Sequence, residues 1–510
     1  MHMKSFTRIK KINGQEYIYE ITPYYDKEKK QIRQKSKYLG KNVNGVPVKV
    51  RSQDQVPKKV LSHGEFVPLK KIAEDLELEK ILSGVLPGKE VWPILTLAMN
   101  YATRPRALTH IQSWYEGTII SEDHPDLPLS SQSLSRMLSR IGESIANLEF
   151  SRKLIQQIST CSTLVYDITS LSSYSQSISL LEYGYNRDGF DLPQINLSLI
   201  VDMDLGIPVM YDLYPGSIAD VSTLKNTVRK IKAQGVRNYT MIMDRGFFST
   251  DNIEELVAAD LSFIIPPTST LKEAVSAIHS SIDDPEYLKL YEKEPLFVMP
   301  VSIEVGENKL SGYAYYDKKR EQQERSTFYK RLYDLMEVLK SKNLKHWMNP
   351  GEVFRATAKR DAKYIEWKAI DGRFQVALRK NAVSQAINKM GKFVLLYRGE
   401  FSWIECLSLY RSKDVVEKGF DVLKNDIELA NLRTNSSLGG YLFIAFIALI
   451  LRMKLTRLMI DAELNKRYSV EGLLTELEKI KIMILPDGEK ITTEITKKQR
   501  EILDALHMCA

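Results

Sequence analysis

Apolar and polar residues alternate along the first forty positions. "FTRIKKI", then Asn13-Gly14, then "QEYIYEIT" predicts two strands about an Asn-Gly turn, and "QIRQKSKYLG" a third. A Gly/Pro/Asn/Ser-containing linker follows at about 40–64, and then the apolar spacing lengthens to three and four. "PLKKIAEDLELEKILSGVL", "EVWPILTLAMNYATR" and "SSQSLSRMLSRIGESIAN" therefore predict helices. The last opens on serines, as helix starts do, with Leu134, Met137, Leu138 and Ile141 on its inner face and Arg136 and Arg140 outside. A helical unit of this kind suits a DNA reader.

From 162 the pattern changes again. "TLVYDIT", "INLSLIVD" and "PVMYDLYP" read as strands, the latter two joined at Asp204-Leu205-Gly206. "DVSTLKNTVRKIKAQG" reads as a helix capped by Asp220 and closed by Gly235. "YTMIMD" is a strand, "STDNIEELVAADL" a helix with Glu254 placed for a capping box behind Asp251, and "SFIIPP" another strand. The order strand-strand-strand-helix-strand-helix-strand predicts a mixed α/β sheet. Residues 268–400 interrupt it with "LFVMPVSIEV", "LSGYAYYD", "FQVALR" and "KFVLLYR" around a long charged helix, a mostly β insertion. The expected divisions are 1–64, a basic β-rich unit and linker; 65–158, helical and DNA-binding; 159–267, the first part of the core; 268–400, the insertion; 401–460, the second part of the core; and 461–510, a helical tail.

Composition adds little except in its charge. A chain of 44% hydrophobic and 27% charged residues can build a sizeable core. The longest apolar run, "YLFIAFIALIL" at 441–451, stops at Arg452, short of the roughly 18 residues of a membrane span. It predicts a buried helix, and no membrane partner is expected. Cys161, Cys406 and Cys509 stand far apart and suit neither a disulfide framework nor a zinc site. Together with an opening "MHMKSFTRIKK" that lacks an apolar leader, they point to a cytoplasmic protein. The seven histidines have no metal-ligand spacing. Residues 1–60 hold 15 Lys/Arg against 5 Asp/Glu, a net +10; the whole chain is +8, so residues 61–510 carry −2. A basic segment salted with Phe6, Tyr17, Tyr19, Tyr24, Tyr25 and Tyr38 suits a polyanion, or else is a solvated basic face.

The candidate chemistry lies in carboxylates. In "YRSKDVVEKGFDVLKND" (410–426), helical spacing puts Val416, Phe420, Leu423 and Ile427 on one apolar face, with Tyr410, Lys413, Glu417 and Lys424 in a stripe beside it. Read plainly, that is a boundary stripe whose Lys413/Glu417 pair is worth a few tenths of a kcal/mol. Asp167 ends "TLVYD" and Asp244 ends "YTMIMD", where α/β proteins tend to place ligand sites. Either aspartate taken singly also suits a turn cap. Three converging carboxylates would repel one another unless cations held them, and oxygen-only ligands favour Mg²⁺ or Mn²⁺. Asp202 and Asp204 read as solvated turn residues, and Trp403 as a core tryptophan.

"YDITS" around Asp167, "MDRGFFS" around Asp244 and Tyr410-x2-Lys413-x3-Glu417-x6-Lys424 together resemble the DDE transposases of bacterial and archaeal insertion sequences. More narrowly they are similar to the group named for a Tyr-Arg-Glu-Lys signature, with Lys413 standing where that group has arginine. The resemblance covers about 160–455. It implies a ribonuclease-H-like core interrupted by a β-rich insertion, in which Asp167, Asp244 and Glu417 are catalytic and hold two Mg²⁺ or Mn²⁺ ions. It implies cleavage at the inverted ends of the element and strand transfer into target DNA by a homodimer. Tyr410, Lys413 and Lys424 would grip the DNA backbone. A ribonuclease-H-like nuclease or resolvase, or a silent DNA-binding regulator, are the rival readings.

Overall fold

The computed structural model describes residues 4–12, 15–26, 31–48, 56–158, 162–175, 177–185, 192–268, 283–414, 416–417, 419–420 and 434–509. The alternating start forms an antiparallel sheet in the order β1-β2-β3-β4, with β1 Phe6–Ile12, β2 Gln15–Asp26, β3 Gln31–Val43 and β4 Val46–Val48. Ile12 faces Gln15, a register that fits a two-residue connection, although Asn13 and Gly14 themselves lie outside the described residues. β5 (Lys59–Ser62) then leads into helices over Phe66–Asp75, Leu78–Ser83, Gly88–Thr103, Ser131–Glu143 and Ala146–Ile158. The Ser131–Glu143 helix buries Leu134, Met137, Leu138 and Ile141, and Ser130 caps it by accepting the Ser133 amide.

The centre is a nine-stranded mixed sheet. Its first strands, β6 (Thr163–Ser172), β7 (Gln194–Asp202) and β8 (Ile207–Pro215), form an antiparallel meander. β9 (Thr240–Met243) and β10 (Ser262–Ile265) follow with parallel pairing, after helices Asp220–Ala233 and Thr250–Ala258. This is the element order that the apolar spacing predicts. The caps differ: Ala219 and Ser249 flank the two helices, and Ser249 accepts the Asn252 amide where Asp251 was expected to cap. Asp202 differs too. It is fully buried and accepts the Leu205 amide at 2.8 Å, so the turn keeps its carboxylate inside rather than in water.

The inserted region continues this sheet. β11 (Leu288–Tyr291), β12 (Glu294–Val305), β13 (Asn308–Tyr316) and, further on, β16 (Lys392–Arg398) extend it past β10, giving the order β11-β12-β13-β16-β10-β9-β6-β7-β8. Between β13 and β16 lie the Lys318–Ser341 helix, shorter helices, and a separate hairpin of β14 (Ile365–Ile370) and β15 (Arg373–Leu378). Near the C-terminus β17 (Lys481–Ile484) and β18 (Lys490–Thr492) join β5 in a small sheet.

One helix fixes the layers. Asn435–Asp461 is apolar on nearly every side and is long and apolar enough to cross a membrane, yet 89% of its most apolar window is buried inside the protein. Residues 441–451 are all buried, as expected of a core helix. Phe446 meets Tyr211 of β8 at 4.9 Å, and Phe443 meets Phe150 edge-on. Arg452, where the apolar run stops, donates to the Ala102 carbonyl at 2.9 Å and pairs with Glu471, so its buried charge is matched. The helix lies against Ser131–Glu143 through glycines. A Cβ on Gly440 would stand 1.9 Å from the Leu138 carbonyl oxygen, and one on Gly142 would stand 1.8 Å from that of Ser436.

Candidate active site

Two aspartates meet through strand register. β6 and β9 run parallel with Tyr166 opposite Met243, so Asp167 and Asp244 come next on adjacent strands. β9 ends at Met243 and frees Asp244, whereas β6 continues to Ser172. Asp167 is thus inside a strand rather than at its end. Pairing with β7 explains the extension, since Asp167 lies opposite Leu199 and the ladder runs on to Gln194. Side-chain alternation turns Tyr166 toward the Asp220–Ala233 helix, where its hydroxyl meets Thr223 at 2.7 Å. Asp167 therefore belongs to the opposite face. It is buried, with Oδ1 accepting the Ile168 amide at 2.9 Å.

The third acid arrives from a helix. Ser402 caps Trp403–Arg411 through a capping box with Glu405, and Tyr410 lies in its last turn. The chain tightens at Ser412 and Lys413 before helical bonds resume, with the Glu417 amide donating to the Lys413 carbonyl at 3.2 Å. The stretch 410–420 is therefore two helical pieces with a turn between them. Val416 and Phe420 are buried as the apolar face requires. Leu423, Lys424 and Ile427 lie outside the described residues. Trp403 is half-buried and packs in an apolar cluster with Cys406 and Leu407.

Lys413 ties the group together. Its Nζ lies 3.4 Å from Asp244 Oδ1 and 3.1 Å from Glu417 Oε1. Its side chain is only 7% exposed, so the sequence's surface pair is in fact a buried ammonium facing acids. Tyr410 donates its hydroxyl to the same Asp244 Oδ1 at 3.4 Å. Burial lowers the Lys413 pKa, but the charges of Asp167 and Asp244, with Tyr410 and Glu417, raise it well above the ordinary ammonium value. Burial would push Asp244 up, yet the Lys413 charge and bonds from the Arg245 amide, Lys413 and Tyr410 hold it below the usual carboxylate range. The Tyr410 phenol is pushed up to about 12 by burial and by Asp244.

Asp244 and Tyr410 border a cleft of about 820 Å³. Asp167 and Arg245 also line it, together with Arg320 and Phe393 of the inserted region. Arg320 stands 5.1 Å over the Phe393 ring and bonds Glu324 at 2.8 Å, which fixes a guanidinium at the rim. Sequence spacing gave no sign of Arg320, because it reaches the acids only through the pairing of β13 with β16 and β16 with β10. Among the described residues no set of three His, Cys, Asp or Glu closes tightly enough to hold an ion. The donor set still fits a hard cation: it is all oxygen, and a positive charge already sits between Asp244 and Glu417.

The chain matches the family model of the transposase DDE domain over residues 158–452, more than half its length. No curated protein matches it. Among solved structures, a cryo-EM structure of the piggyBac transposase synaptic complex with hairpin DNA is 10% identical, with 82% of each chain covered and a TM-score of 0.37. The Drosophila P element transposase strand transfer complex is 10% identical over 77% of this chain and 87% of that one, with a TM-score of 0.19.

Proposed function

Because the chain belongs to the transposase DDE domain family, we propose that it cuts DNA at the inverted ends of a mobile insertion sequence and joins the freed 3′ hydroxyl to target DNA. The observation that carries this reading is the meeting of Asp244 and Glu417 on one buried ammonium, with Asp167 on the neighbouring strand. Asp167, Asp244 and Glu417 are the catalytic acids and would hold divalent metal, Mg²⁺ or Mn²⁺. Bound divalent ions would supply the Lewis acidity that activates a water or 3′ hydroxyl and stabilises the leaving oxygen. The chain's own part is positional. The sheet holds Asp167 and Asp244 at fixed separation, the capped helix delivers Tyr410, and the buried Val416 and Phe420 orient Glu417.

The cleft's cations receive the DNA backbone. Arg245 and Arg320 line it, and Tyr410, Lys413 and Lys424 carry the phosphate-gripping role that the motif suggests. The core is of ribonuclease-H-like type, and the basic first unit and the helices up to 158 bind the element ends. Two copies act together in the cytoplasm, one at each end.

A supercoiled plasmid bearing the inverted repeats that flank the gene tests this. With Mg²⁺ or Mn²⁺ the protein should nick at the repeat tips, and Glu417→Gln should bind the ends without cutting them. Cutting by that variant would remove Glu417 from the triad. Binding without cutting by both proteins would favour a silent regulator.

A further inference from the structure

Lys413 cannot occupy two places at once. Its ammonium lies against Asp244 at 3.4 Å and Glu417 at 3.1 Å, with 7% of the side chain exposed. The groups facing it are Asp244, whose Oδ1 also accepts the Tyr410 hydroxyl, together with Glu417, Tyr410 and the charge of Asp167. A phosphate contact would require it to leave this seat. A divalent ion held by the same carboxylates would repel it, because like charges within a few ångströms of each other are disfavoured.

We propose that Lys413 is a tethered counter-ion that bridges Asp244 and Glu417 when no metal is bound and leaves when metal binds. Its release carries a cation from a buried seat toward the cleft, where DNA phosphate can take it. Metal loading and end-gripping are then coupled through one side chain, and the ion-free protein keeps its acids screened. This rests on the reading of Asp167, Asp244 and Glu417 as metal-holding residues. It assigns Lys413 a positioning role in the ion-free state that phosphate gripping alone does not include.

The position supports an exchange. Lys413 stands at the turn between two helical pieces, where the chain is not locked into a continuous helix. Neighbouring Arg411 is engaged elsewhere, 3.1 Å from Asp317 and over the Tyr291 ring, so it does not supply the missing charge. A motif of this spacing with arginine at 413 would put a broader guanidinium in the same seat.

Two measurements on the full chain test this. In the first, Mn²⁺ binding is followed by electron paramagnetic resonance, and melting is measured in EDTA, for the natural protein, Lys413→Met and Lys413→Arg. Lys413→Met should bind Mn²⁺ about tenfold more tightly or better, since nothing has to be displaced, and should melt lower in EDTA. Lys413→Arg should melt near the natural protein. Equal or weaker Mn²⁺ binding by Lys413→Met would overturn the exchange while leaving the metal reading standing. Failure of even the natural protein to bind Mn²⁺ would overturn both.

The second measurement needs no variant. Lysine-directed reductive methylation, read by mass spectrometry, should spare Lys413 in EDTA and modify it in Mn²⁺. Equal modification in both conditions would overturn the proposal, even if Lys413→Met failed to fold.

Discussion

The two antiparallel starts of this chain use strands in opposite ways. In the core, every residue of β7 is buried, and so are eight of the ten in β6. In the N-terminal sheet every residue of β1 is exposed, and the buried hydrophobic side chains among the described residues of β1–β4 are Ile18 and Ile21. β1–β4 make their extensive contacts with one another. The core's strands hold acids in register. The N-terminal strands instead display Arg8, Lys10, Tyr17, Tyr19 and Tyr38, with Lys10 4.9 Å over Tyr19 and Tyr19 packed on Tyr38. β6 and β7 bury nearly all of their side chains, and the N-terminal sheet leaves basic and aromatic side chains at the surface.

Substitutions in each region should separate these roles. The largest effect is expected in the core, at Gly440→Leu. A side chain there runs into the Leu138 backbone, so the two helices must part, at a cost of about 3 kcal/mol or more in urea unfolding. Removing residues 1–55 should leave core stability alone but weaken end binding by about tenfold or more, with a shallower dependence on salt. An unchanged salt slope would show that the basic sheet does not meet phosphate. The smallest effect is expected at Ile9→Lys, a side chain 53% exposed: a change within about 0.5 kcal/mol in the same unfolding measurement. A cost of several kcal/mol there would mean that this face is covered.

The same contrast governs how much could be read from the sequence. Local signals carried through: the hairpin register about residues 13–14, the buried face of Ser131–Glu143, and the order of elements from 163 to 265. Asp244 stands one residue past its strand, close to the end of "YTMIMD" where the apolar run put it. What local spacing missed depends on partners distant in the chain. β6 outlasts its apolar run because β7 pairs with it to Ser172, and the inserted strands join the core sheet because β16 pairs with β10. Asp202 is polar in sequence but buried by its own turn. Lys413 looked like half of a surface pair. Only the approach of Asp244, 169 positions earlier in the chain, makes it the centre of the site.

The most direct test of the central claim, that Asp244 holds a divalent ion for DNA cutting, is a change of ligand softness. Asp244→Cys would be assayed for single-turnover cleavage of labelled end DNA in Mg²⁺ and in Mn²⁺. A thiolate disfavours Mg²⁺ and tolerates Mn²⁺ better. The account predicts cleavage lost in Mg²⁺ and partly restored in Mn²⁺. Cutting by Asp244→Cys in Mg²⁺ at the natural protein's rate would contradict it.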